Sequence, residues 1–113
     1  MIRKIVLSDE FSAYYDSLSA KTKDKYAYAM QVMKTQNIVS KKFVKKILNT
    51  EFYEVRVSVG TNEYRTMLIA TDSSNFIEAT KVILLNSFLK KDSKQYKREI
   101  EKARTIIKRE DLL

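Results

Sequence analysis

The stretch "FYEVRVSVGTNEYRTMLIA", residues 52–70, alternates in the manner of an extended chain. Tyr53, Val55, Val57 and Val59 fall on one side and Glu54, Arg56 and Ser58 on the other, which is the two-residue period of a strand with one apolar face. Gly60, the only glycine of the 113 residues, opens "GTN", and "EYRTMLIA" returns as the second strand of a hairpin. If the turn holds an even number of residues, Arg56 and Arg65 project side by side from one face, with Glu54 and Glu63 beside them as compensating acids. That geometry fits both a charge-balanced solvent face and a functional pair of cations.

Working outward, Ile2 to Leu7 reads as a short strand, and Ser8 caps a helix with Asp9 and Glu10 in its first turn and Phe11, Tyr14, Tyr15 and Leu18 at helical spacing. Ser19 caps a second helix, striped by Thr22, Tyr26, Met30 and Met33. The segment "SKKFVKKIL" reads as a third short helix capped by Ser40, with Phe43 over Ile47, Val44 over Leu48, and Lys41, Lys42, Lys45 and Lys46 together on the opposite side. Beyond the hairpin, "TDSSN" marks a turn, and Thr80 to Leu89 forms a more fully apolar strand. From about Ser93 an amphipathic helix carries Tyr96, Ile100, Ala103 and Ile107 on one stripe.

This order predicts an α+β fold: a small, mainly antiparallel sheet with the N-terminal helices packed on one face and a C-terminal helix. No repeat, linker or low-complexity tract divides the chain, so residues 1–113 read as one domain. No cysteine or histidine is present, which excludes thiolate and imidazole chemistry and the ordinary transition-metal sites, so no metal or other cofactor is expected. No apolar run approaches the ~18 residues of a membrane span, and "MIRKIVLSDE" turns acidic before a signal-like segment can develop. A cytoplasmic protein without a membrane partner is the expectation.

The 22 Lys and Arg against 14 Asp and Glu leave a net charge of +8, enough to steer polyanions such as nucleic acid towards the surface. Between Lys90 and Arg109 nine basic residues face three acidic ones, so +6 of that charge lies at the C-terminal end. Lys90, Lys91, Lys94, Lys97 and Arg98 surround the start of a helix, where the dipole favours carboxylates and where a phosphate would find free N–H groups. Asp92 and Ser93 are available as caps. Lys94, Lys97 and Arg98, with Lys41, Lys42, Lys45 and Lys46, are therefore candidate RNA or phosphate contacts. Tyr96 lies on the apolar stripe at the first turn, placed for packing while its hydroxyl can reach the lysines.

The hairpin, together with "VILLNSFLKKDSKQYKREIEKA" (residues 82–103), resembles the core of the RelE/ParE toxin superfamily, in particular its phage-derived HigB-like branch. The specific part of the likeness is "YEVR", the "YR" nine residues on, "LLNSFLKK" and "KREIEKA", and the order of elements extends it over nearly the whole chain. The resemblance implies the toxin of a type II toxin–antitoxin system, a ribosome-dependent endoribonuclease whose partners are mRNA on the ribosome and an adjacently encoded helix-turn-helix antitoxin. It implies a site of Arg56, Arg65, Lys90 and Lys91, with Tyr96 standing in for the late tyrosine of other RelE-like toxins. Two positions depart from the branch pattern: Asn86 stands where a histidine is usual, and Gln95-Tyr96 where Thr-Pro is common. RNA cleavage needs neither histidine nor metal, because a 2′-hydroxyl can attack the adjacent phosphate if the protein positions the groups, moves protons and neutralises charge. In that scheme Arg56 and Arg65 stabilise the phosphorane, and Lys90 or Lys91, whichever faces the site, is the base. A ParE-like poison of DNA gyrase and a non-catalytic module binding antitoxin or nucleic acid are the alternatives.

Overall fold

The computed structural model describes residues 2–111. Its elements are β1 (Lys4–Leu7), α1 (Asp9–Asp16), α2 (Ala20–Thr35), β2 (Val44–Lys46), β3 (Tyr53–Val59), β4 (Asn62–Ala70), β5 (Lys81–Leu89) and α3 (Gln95–Glu110). The strands form one sheet in the order β1-β5-β4-β3-β2, in which only β1 and β5 run parallel. This is the expected α+β fold with a mainly antiparallel sheet.

The local signals explain most of these boundaries. Ser8 and Ser19 are the caps of α1 and α2, their hydroxyls accepting from the backbone N–H of Phe11 and Thr22. In the β3–β4 hairpin Val59 pairs with Asn62, so the turn consists of Gly60 and Thr61 alone. Gly60 has φ +60° and is the only turn residue in the left-handed region, as a two-residue II′ turn requires. Two is an even number, and Arg56 pairs directly with Arg65 as the alternation predicts.

Three expectations are corrected. First, "SKKFVKKIL" is not a helix: a turn leads into β2, which pairs with β3 through Val44↔Val55, Lys45↔Glu54 and Lys46↔Tyr53. Nine residues are too few to stabilise an isolated helix, and the free edge of β3 offers backbone partners instead. Lys45 therefore shares the face of Glu54 while Lys46 lies across the strand with its ammonium over the Tyr53 ring, and Leu48 is exposed instead of stacked on Val44. The four lysines do not form one side.

Second, the charged face of β3 is not the open solvent face that its charge balance allows, because both faces of the sheet are covered. On one, α1 and α2 bury Phe11, Tyr26, Ala29 and Met33 against Val55, Val57, Leu68, Val82 and Leu84. On the other, α3 brings Ala103 and Ile106 onto Phe52, Met67, Ile69, Ile83, Leu85 and Phe88. The face holding Glu54, Arg56 and Ser58 is thus partly roofed instead of open to solvent. A register shift near Met67 sets three residue steps of β5 against two of β4, which turns both Leu85 and Asn86 towards α3.

Third, neither Asp92 nor Ser93 caps α3. Its N-cap is Lys94, without a side-chain cap bond, while the Asp92 carboxylate accepts from the Lys94 backbone. Gln95 fastens the junction instead: its side-chain oxygen accepts from the backbone N–H of Lys91 and Asp92, and its amide donates to the Leu89 carbonyl.

Candidate functional site

The uncovered end of the α3 face is where the sheet's charged side chains meet the first turn of that helix. Strand alternation puts Glu54, Arg56 and Arg65 on one side, and Arg65 stands opposite Phe88, two residues before Lys90. Phe88 receives the Tyr96 ring edge-on, with centroids 5.4 Å apart. This packing carries the tyrosine over the sheet, so the packing role read from the sequence is also what aims its hydroxyl.

That hydroxyl donates to both oxygens of Glu54, at 2.8 and 3.1 Å. Glu54 is only 7% exposed, and its second neighbours are cations: Arg65 Nε at 3.4 Å and Arg56 Nε at 3.7 Å, both to Oε1. Burial, followed by the bond to the Glu54 carboxylate, pushes the Tyr96 hydroxyl up to about 12. It is therefore a proton donor across the physiological range.

Arg65 is 2% exposed. Its Nη1 donates to the Tyr64 carbonyl and its Nη2 to Glu63, while the contact of Nε with Glu54 is close enough for charge pairing but not aligned as a hydrogen bond. The Nε N–H is left as a buried donor without an acceptor. Arg56, by contrast, keeps 30% of its side chain exposed and is anchored through Nη1 to the Lys41 carbonyl at 3.4 Å. Glu63, bonded by Ser58 and then by Arg65, is held below the usual carboxylate range.

Of the two lysines at the end of β5, Lys90 faces the cluster. Its ammonium lies 5.8 Å from the centre of the Tyr96 ring and its backbone extends the ladder by donating to the Glu63 carbonyl. Lys91 is exposed, its backbone N–H tied to the Gln95 side chain. Lys94, Lys97 and Arg98 lie exposed along the first turn of α3, and none of them bonds Glu54 or Tyr96. Arg98 lies 3.8 Å from Glu99.

Glu54 is the group that sequence reasoning used only as a counter-charge. Its signal was its parity: it shares the strand face of Arg56 and precedes it by two. Asn86, where the resemblance expects histidine, does not reach this cluster. Its amide donates to the carbonyl and carboxylate of buried Glu99 on α3. Among the described residues no three carboxylates gather closely enough to hold a metal ion, and no helix is long and apolar enough to cross a membrane.

Residues 13–108 match the family model described as phage derived protein Gp49-like (DUF891). The match spans most of the chain, which belongs to that family. No curated protein and no solved structure matches it.

Proposed function

We propose that this member of the phage-derived Gp49-like family is the toxin of a type II toxin–antitoxin pair, of the HigB-like branch of the RelE/ParE superfamily. We further propose that it cleaves mRNA on the ribosome. The observation that carries this reading is the buried Glu54 carboxylate, which receives the Tyr96 hydroxyl and lies against Arg56 and Arg65. A proton acceptor, a proton donor and cations in one cluster are the parts that cleavage by a neighbouring hydroxyl needs.

In the proposed reaction the 2′-oxygen bonds to phosphorus and the bond from phosphorus to the 5′-oxygen breaks. Glu54 takes the proton of the 2′-hydroxyl, and Tyr96 gives its own to the departing 5′-oxygen. Their mutual hydrogen bond returns a proton from Glu54 to Tyr96, so the protein ends as it began. Glu54 thereby takes the role of base that the sequence assigned to a lysine. Arg56 and Lys90, whose side chains are partly exposed, meet the charge growing on the phosphoryl oxygens. Arg65 acts from beneath, holding Glu54 and Glu63 in place. Lys91, Lys94, Lys97 and Arg98, with Lys41, Lys42, Lys45 and Lys46, add attraction for RNA that salt would screen. The relay needs no metal. The setting is the cytoplasm, and the partner is a small helix-turn-helix antitoxin encoded next door.

Purified chain incubated with ribosomes and mRNA should yield codon-phased cuts ending in a 2′,3′-cyclic phosphate and a 5′-hydroxyl. Glu54→Gln and Tyr96→Phe should each slow cleavage about 10²–10⁴-fold. Ribosome-independent silence of the wild type, with ribosomes adding nothing, would sink the reading, as would Glu54→Gln cutting at the normal rate. One observation favours a binding-only role: Arg65 is covered, and its charge is already offset by Glu54 and Glu63. Antitoxin or RNA binding by the wild type with neither growth arrest nor mRNA cleavage would select that alternative.

A further inference from the structure

At the edge of the sheet where β2 stops short, a groove of about 180 Å³ is lined by Lys25, Tyr28, Lys42, Phe43, Arg56 and Ser58. Tyr28 projects from α2 and is 62% exposed, an unusual position for so large an apolar ring. Its ring and that of Phe43 lie 5.8 Å apart at 56°, and the Lys42 ammonium stands 6.0 Å from the centre of the Phe43 ring. No carboxylate lines this groove. Three cations around an exposed tyrosine backed by the partly buried Phe43 match single-stranded nucleic acid, whose bases stack on aromatic faces while the backbone tracks positive charge.

The groove is tied to the candidate active site through Arg56. The backbone N–H of Arg56 donates to the Phe43 carbonyl at 2.8 Å, which fixes the aromatic pair to the strand position whose guanidinium approaches Glu54. We propose that Tyr28 and Phe43 form a nucleobase-stacking subsite for single-stranded RNA, seating a base beside the phosphate that Arg56 contacts. Lys25 and Lys42 flank that base and meet the neighbouring phosphates. The proposal rests on the RNA reading of the same site but assigns residues that cleavage itself does not require. Within it, Tyr28 selects for a base being present and not for which base it is, since every base has a stacking face.

The test is a short single-stranded RNA carrying one 2-aminopurine and a 2′-O-methyl group on every ribose, so that it cannot be cut, titrated with the intact chain at low salt. The wild type should quench the fluorophore, and Tyr28→Ala should lose the quenching with roughly ten- to hundredfold weaker binding. Tyr28→Trp should restore both. Tyr28→Ala should unfold at the wild-type temperature, because the side chain is exposed, so a binding loss reports on the subsite. Quenching without any cleavage by the wild type would refute the nuclease and keep the subsite. Conversely, wild-type cleavage on ribosomes with Tyr28→Ala binding and quenching normally would refute the subsite and keep the nuclease. Absence of quenching by the wild type, or equal binding of an abasic oligonucleotide, would also overturn the subsite.

Discussion

Two guanidinium groups are fully buried in this protein, and they are buried in opposite ways. Arg3, just before β1, spends all five of its N–H donors on backbone carbonyls: Phe76 through Nε, Met33 and Gln36 through Nη1, Asn37 and Ile77 through Nη2. Three of those carbonyls lie at the end of α2, where a helix leaves its last acceptors unpaired and its dipole is negative. The Phe76 ring closes the pocket with its centre 4.2 Å from the guanidinium carbon. Arg65 makes two hydrogen bonds, leaves Nε without an acceptor, and is neighboured by two carboxylates and through Glu54 by a tyrosine. An arginine with every donor used is a clasp. One with a donor to spare, set between two carboxylates, holds the charged side chains of a candidate site in place from beneath.

The comparison predicts that stability and activity separate. Arg3→Met strips the donor from five carbonyls at once and should cost about 5 kcal/mol in chemical denaturation, roughly one per acceptor, a large part of what holds such a domain folded. Arg3→Lys should rescue little, since three donors on one nitrogen cannot span acceptors in two segments. Arg65→Met should cost only about 2–3 kcal/mol, because Arg56 and Tyr96 still attend Glu54, yet it should abolish RNA cleavage. If Arg65→Met proves the more destabilising of the two, the distinction between clasp and site fails. A double-mutant cycle sharpens it: Glu54→Gln and Arg65→Met should couple by about 1–2 kcal/mol, and additive losses would mean the 3.4 Å contact carries no energy.

The same contrast separates what the sequence discloses from what it hides. Arg56 and Arg65 fall side by side whenever the turn holds an even number of residues, and the hairpin, with a turn of two, adopts that register. Arg3 carries no such signal. Its acceptors are carbonyls 30 to 74 residues away, and carbonyls are the same in every residue. Glu54 is hidden for a related reason: a polar residue opposite a row of valines fits a wet face as well as a site, and only the packing of α3 reveals that its tip is covered. The lysines of "SKKFVKKIL" read as one side of a helix because Phe43–Ile47 and Val44–Leu48 satisfy helical spacing. Over nine residues that period does not exclude a strand, and the free edge of β3 decided between them.

The smallest effect tests the site end of the comparison by pH. Tyr96 has its pKa raised from 10.0 to about 12 by burial and by Glu54, so the folded protein holds that proton more tightly than the unfolded chain. A raised value means the contribution is complete below about pH 10, declines as pH climbs between 10 and 12, and is gone above. Tyr96→Phe removes one bond to a carboxylate and should cost about 1 kcal/mol at neutral pH. It should also make the alkaline loss of stability shallower in that window without flattening it, because burial raises Tyr14 to about 12 as well. An unchanged alkaline slope would mean that the Tyr96 proton is not held by Glu54 in the folded chain. Among the five acceptors of Arg3 there is no tyrosine or carboxylate, so the groups it holds do not titrate over that range, while burial lowers the pKa of its own guanidinium from the usual arginine value.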